Sequence, residues 1–365
     1  MHTPIKHLLL GLLSLMAWEA SANDQPGMPV VEGKCKWVSS SNLKPPIIFI
    51  RRVDAPLYVP RDASLGSPIG PPRMQKTTMP EGGSIYVSCL GDLSNDPVEM
   101  KVTALADIFP DPVPGFPDGH VLKTNVKGVG AVFEMRFPFT HHNNAFNPDD
   151  GHTFIPFSAT SRALPGFAVQ LVAFNDTLTL VKIGDIEPGV HVVNVPVARA
   201  YSPYPNIGEV FHATLSATVI QPGCQIVGDP VTPNPVELGD WDRADFTGPG
   251  FTTATQSLRI KLSGCQSDPA DPSNVSLELT PTDGSQMLVP DQGVLSLNNG
   301  GNDAGFGIQV VKADGSPMPL GQELPMTALA PGDMELTLGA HFYQTEAKVR
   351  PGEATGALNF TLRLR

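Results

Sequence analysis

The chain has 365 residues, with 24 Lys plus Arg against 36 Asp plus Glu and a net charge of −12. That balance argues against nucleic acid as a partner and against adhesion to anionic membranes by bulk charge. Only 16% of residues are charged, and 35 Gly with 38 Pro make the chain turn-rich without reaching low-complexity composition, while the length points to two domains.

Residues 1–22 read as a secretory signal. Lys6 and His7 precede the apolar run from Leu8 to Trp18, and Ala20-Ser21-Ala22 is an A-x-A cleavage site. The run is too short to span a bilayer, so the mature protein is expected to begin near Asn23. Four cysteines follow, at 35, 89, 224 and 265. Export favours disulfides. Three pairings exist, and the long gap between Cys89 and Cys224 favours one local bridge per half, Cys35–Cys89 and Cys224–Cys265. Each closed loop would contribute about 4 kcal/mol. No C-x-x-C pair points to zinc or thiol redox chemistry.

From Asn23 to Asn206 short strand candidates alternate with turns: residues 36–38, 47–50, 84–90, 98–104, 131–139, 168–174, 177–183 and 190–197. In residues 98–104 the apolar Val98, Met100, Val102 and Ala104 alternate with Glu99, Lys101 and Thr103, the period of a half-buried strand. No capped helical pattern competes, so this half is expected to be a β-sandwich. The Pro-rich Tyr201 to Gly208 reads as a stiff link, which places the domain boundary near Asn206. Beyond it, residues 211–220, 258–265, 336–343 and 358–364 again read as strands. In the last of these Leu358, Phe360, Leu362 and Leu364 alternate with polar residues, and a sheet ending on such a strand has an apolar edge to pair.

Several phrases of the second half, in order, resemble the pilin domain of chaperone–usher fimbriae: Gly223-Cys224, Val236-Glu-Leu-Gly239, the strand running into Cys265, Gly305-Phe-Gly-Ile-Gln-Val with Asp314-Gly315 and Leu320-Gly321, and Gly352 fourteenth from the end. The penultimate Leu364 departs from the aromatic residue of that family. In the first half, Thr124-Asn-Val-Lys-Gly-Val-Gly130 and Leu180-Val-Lys-Ile-Gly184 resemble phrases of fimbrial tip adhesins. The resemblance implies an all-β protein of two sandwiches: residues 23–206 a receptor-binding, lectin-like domain, and residues 207–365 an incomplete immunoglobulin-like fold lacking its last strand. It further implies a groove bordered by Phe211, Leu215, Ala217 and Val219 on one side and by Leu358, Phe360, Leu362 and Leu364 on the other. The implied partners are a periplasmic chaperone, an outer-membrane usher, an adjacent subunit that donates a strand, and a carbohydrate or protein receptor. The implied location is the fimbrial tip at the cell surface, with no cofactor.

Sugar recognition needs planar polar side chains beside an aromatic face on loops. The richest stretch is Thr140 to His152, with His141, His142, Asn143, Asn144, Asp149, Asp150 and His152 around Phe146. The same residues also form ordinary solvated turns, and they match no metal-ligand spacing. Arg51, Arg52 and Tyr58 make a second, weaker candidate, in which the arginines read as rim charges. Trp37 is expected to pack on the Cys35 disulfide, and Trp241 inside the second half. Neither G-x-S-x-G nor H-E-x-x-H occurs, so no enzyme is expected. Two alternatives stay open: a structural adaptor subunit without a host receptor, and a polysaccharide-active enzyme using Asp149 and Asp150. Adjacent carboxylates in one turn do not set the separation that glycosidase chemistry requires.

Overall fold

The computed structural model describes residues 35–365 apart from 41–42, 61–62, 80–82, 90–95, 141–145, 162–167, 172 and 299–303. The signal-peptide reading lies outside these residues. No α-helix occurs among them; beside strands there are two single 3-10 turns, Arg243–Asp245 and Pro290–Gln292.

The first unit contains β1 (Cys35–Ser39), β2 (Ile47–Arg52), β3 (Leu57–Tyr58), β4 (Pro68–Thr78), β5 (Ile85–Cys89), β6 (Val98–Ala104), β7 (Leu122–Lys123), β8 (Val129–Met135), β9 (Asn147–Pro148), β10 (Phe157–Ser161), β11 (Ala168–Gln170), β12 (Phe174–Lys182), β13 (Gly189–Ser202) and β14 (Gly208–Gln221). They form sheets in the orders β1-β5-β11, β2-β14-β13-β6-β10-β9 and β4-β12-β8-β7, with β3 added to β14. The second unit contains β15 (Gly223–Gln225), β16 (Val231–Thr232), β17 (Gln256–Gln266), β18 (Asn274–Thr282), β19 (Met287–Val289), β20 (Val294–Leu295), β21 (Phe306–Lys312), β22 (Leu324–Ala328), β23 (Gly332–Gln344) and β24 (Ala357–Leu364). Its sheets run β15-β17-β23-β21-β20-β19 and β22-β18-β24. The fold is all-β, and each unit has its own apolar core.

Two expectations are corrected here. Tyr201 to Gly208 is not a link between units but the turn of a hairpin. Ser202 pairs with Gly208, the Ile207 amide donates to the Tyr204 carbonyl, and β13 and β14 run antiparallel for their full length. The sheets therefore part at Gln221–Gly223, about one strand later than Asn206. The same pairing removes Phe211, Leu215, Ala217 and Val219 from any groove of the second unit. They point into the core of the first, where Phe211 packs on Phe49 and Phe174 at ring-centroid distances of 5.3 and 5.0 Å. Two-sided pairing of β14, to β13 and in parallel to β2, satisfies its backbone on both edges.

Arg51 is corrected as well. Period two sets Ile47, Phe49 and Arg51 on the inner face of β2, so Arg51 is 4% exposed while Ile48 is 64% exposed. Its Nε donates to Asp176 Oδ2 at 2.9 Å and its Nη2 to the Asp176 carbonyl at 3.2 Å. Burial pushes the Asp176 carboxyl up against the opposing pull of the guanidinium.

Bridges Cys35–Cys89 and Cys224–Cys265 each lie within one unit. The first staples β1 to β5 at the paired ends of those strands. The Trp37 indole N–H donates to the Ile207 carbonyl at 2.9 Å, tying β1 to the β13–β14 turn.

In the second unit His341 of β23 is buried between Gln309 of β21 and Thr255, the residue before β17. Its Nε2 lies 2.7 Å from Gln309 Oε1 and its Nδ1 2.9 Å from Thr255 Oγ1. A neutral ring satisfies both contacts, donating from Nε2 and accepting at Nδ1, and burial holds its pKa below the ordinary imidazole value of 6.5. The unfolded chain therefore takes up this proton first on acidification. Stability from this site is complete above about pH 6.5 and declines as the pH falls through and below that value. We expect the melting temperature of the second unit to fall between pH 7.5 and 5.5. His341→Gln, which cannot titrate, should flatten that slope in a calorimetric pH series.

Candidate functional site

A cavity of about 870 Å³ runs along the free edge of β24. Every residue of β24 pairs antiparallel with β18, from Ala357↔Thr282 to Leu364↔Val275. Among the described residues no strand pairs its other edge. Leu358 and Phe360 line the groove from that edge. The opposite wall is the irregular stretch 233–246, which supplies Leu238, Trp241 and Phe246. Its floor is the hydrophobic core itself: Ile260 of β17, Leu279 of β18, Leu295 of β20, Ile308 and Val310 of β21, and Leu338 of β23. The eight-residue edge of β24 therefore leaves backbone groups without a strand partner beside a slot that reaches the apolar core.

The four alternating apolar residues divide. Leu358 and Phe360 face the groove, whereas Leu362 and Leu364 are half-buried against the core beyond its lining. The other face of β24 is charged. Arg363 meets Glu278 at 2.7 Å and Glu323 at 3.2 Å, and Arg365 meets Glu323 at 2.6 Å. The Arg365 guanidinium holds the Glu323 carboxyl below its ordinary range. Such exposed pairs add little stability, and they keep the outer surface of this sheet wet. Trp241 differs from expectation. It is 38% exposed on the groove wall, its indole N–H donating to the Leu238 carbonyl at 2.9 Å.

His141, His142, Asn143 and Asn144 lie outside the described residues. Asp149 and Asp150 are exposed in the turn after β9. The Asp149 amide donates to the Ser158 carbonyl and its Oδ1 accepts from Thr160 Oγ1 at 2.8 Å, so this residue closes the turn. Phe146 is fully buried in the core and offers no face to a ligand. The His152 ring stacks edge-on to His120 at 4.7 Å and lies 6.2 Å from Phe154. Among the described residues no three His, Cys, Asp or Glu gather as metal ligands.

A second, smaller cleft of about 260 Å³ opens on the outer face of the β4-β12-β8-β7 sheet. Sequence reasoning passed over its residues. The segment 105–121 crosses this face, burying Val113 and Val121 on Val132 and Val181. Glu134 is paired with Thr177 across β8 and β12, and is bridged to Phe154 on its other side. One hint was available: Glu134 is the single charged residue in the otherwise apolar β8.

Residues 213–365 match the family model described as "Fimbrial protein". The fimbrial-like protein YcbU of Escherichia coli (strain K12), described as uncharacterized, is 28% identical over 149 residues, spanning 40% of this chain and 78% of that protein. The S-fimbrial protein subunit SfaG of Escherichia coli O6:K15:H31 (strain 536 / UPEC) is 29% identical over 128 residues, spanning 35% of this chain and 68% of its own. Among solved structures, the CupB6 tip adhesin from Pseudomonas aeruginosa is 16% identical, covering 90% of this chain and 94% of that one at a TM-score of 0.35. The family match begins inside β14, a strand that the first unit has taken into its own sheet.

Proposed function

We propose that this chain, whose residues 213–365 match the fimbrial protein family, is the two-domain tip adhesin of a chaperone–usher fimbria. In this reading the second unit accepts a strand into the groove beside β24 and the first unit presents a receptor-binding surface. The observation that carries it is the open slot. Core residues such as Ile260, Ile308 and Leu338 line a channel next to an unpaired strand edge, the setting in which an extended segment from another polypeptide adds a strand. Before assembly the donor would be a periplasmic chaperone, and in the fibre an adjacent subunit delivered through the outer-membrane usher. The strand leading to the first cysteine of the fimbrial match supports a terminal position. It is β14, held on both edges within its own sheet, and is not available to complete a neighbour.

The test is expression in a periplasm with and without a cognate chaperone. The reading predicts degradation or aggregation of the chain alone and a soluble one-to-one complex with the chaperone. A monomer that folds cooperatively by itself would overturn the open groove.

A further inference from the structure

We propose that His120 and His152 form an acid-sensitive latch: neutral, they hold closed a seam along one edge of β8, and protonated together they open it. The inference concerns the first unit alone and does not depend on the adhesin reading.

One edge of β8 is taken by β12. The other is covered by two short pieces of chain. Leu122 and Lys123 of β7 pair with Ala131 and Gly130. Farther along, the Met135 amide donates to the Thr153 carbonyl and the Ile155 amide to the Phe133 carbonyl, both at 3.0 Å or less. Neither piece makes a long ladder. Each leads into a loop on the outer face, residues 109–121 on one side and 149–152 on the other, and the first buries Val113 and Val121 on Val132 and Val181. Where the two pieces meet, the rings of His120 and His152 stack edge-to-face at 4.7 Å, and Phe154 lies 6.2 Å from both. This cluster of three rings joins the pieces across the seam.

The latch is closed only for neutral rings. Nδ1 of His120 and Nδ1 of His152 are both buried, and neither has a hydrogen-bond partner among the described residues. A neutral imidazole can leave that nitrogen bare by carrying its hydrogen on Nε2. An imidazolium carries a hydrogen on both nitrogens, so each protonated ring would hold a buried N–H with no acceptor. Two such cations in edge contact also repel. The charged groups nearby do not remove the conflict. Glu134, bridged to Phe154, is half-buried and can offset one imidazolium but not two. The same ladder sets Arg136 opposite His152, where it opposes protonation. Arg73 of β4, Asp107, Asp111 and Asp118 of the loop and its base, Lys123 of β7, and Asp149 and Asp150 of the facing turn are all exposed, and solvent and salt screen them. Histidine is the side chain whose charge changes between neutral and mildly acid pH. Acidification therefore parts the rings, loosens both pieces and uncovers the valines of the outer face.

The experiment is hydrogen–deuterium exchange of the full chain at pH 7.5 and 5.0, with labelling times scaled to the intrinsic rate at each pH. Four amides report the seam: Phe109, which donates to the Val121 carbonyl, Lys123 to Asp107, Met135 to Thr153 and Ile155 to Phe133. We expect peptides carrying them to lose protection by about tenfold or more at pH 5.0, while the ladder between β6 and β10 keeps its own. The double variant His120→Phe with His152→Phe preserves an edge-to-face ring pair and removes both charges, so its seam should stay closed at both pH values. Should the double variant fail to fold, His152→Phe alone serves, because a single imidazole cannot form two cations and its seam should also hold. No loss of protection in the parent, or an equal loss in the parent and the variant, overturns the latch.

Discussion

Supplying a donor strand in cis should raise the melting temperature of the second unit by about 10–20 °C, corresponding to a net gain of about 5 kcal/mol for a unit of this size. The arrangement is a flexible linker after Arg365 followed by a segment of four alternating apolar residues. Seating those four side chains over Ile260, Ile308, Leu338 and their neighbours contributes about 6–12 kcal/mol before the cost of ordering the strand. Backbone hydrogen bonds to the free edge of β24 supply orientation. Replacing the donor's apolar residues with Asp should abolish the gain, and Phe360→Asp on the acceptor should do the same from the other side. Trp241, exposed on the groove wall, gives an independent optical readout: its emission should shift to the blue as the slot fills. An appended strand that leaves the melting temperature unchanged would mean that the slot is not a binding groove.

Asp176→Ala should destabilise the first unit by about 3–5 kcal/mol, a large fraction of the roughly 5–15 kcal/mol by which a folded domain is stable. The reason is asymmetric. The substitution leaves the Arg51 guanidinium buried without its carboxylate partner. Removing both charges is a different case. The pair Arg51→Met with Asp176→Leu replaces the ion pair by apolar volume and should recover most of the lost stability, as buried pairs often add little over a packed hydrophobic substitute. Urea titrations of the single and double variants measure both. Equal destabilisation by the single and the double variant would contradict this account of the pair.

Much of the fold was legible in the sequence because period-two alternation reports burial residue by residue. β6, β17, β23 and β24 fall where the alternation places them. The pairing Cys35–Cys89 and Cys224–Cys265 followed from the long gap between the two halves. Alternation, however, says which residues share a face and nothing about which sheet the face covers. That is why β14, whose pattern suits either unit, was assigned to the wrong one. The prolines of Tyr201 to Gly208 read as a linker because a hairpin turn and a linker demand the same residue types.

Arg51 shows a second limit. Taken as an end to an apolar run it looks like a rim charge, yet its phase with Ile47 and Phe49 already put it inside. Its partner Asp176 lies on a strand that only the fold brings near. The small cleft was hidden for a related reason: Glu134 and Thr177 are distant in sequence and become neighbours only through the register of β8 with β12.

Hydrogen exchange along β24 tests the central claim most directly. In the chain without a donor, the amides of residues 357–364 that point to β18 should be protected and the alternate ones, which point into the slot, should exchange quickly. Addition of a chaperone or donor peptide should slow that second set and leave the first unchanged. Protection of every amide of β24 in the chain alone, or no change on adding a donor, would contradict a sandwich that is completed from outside.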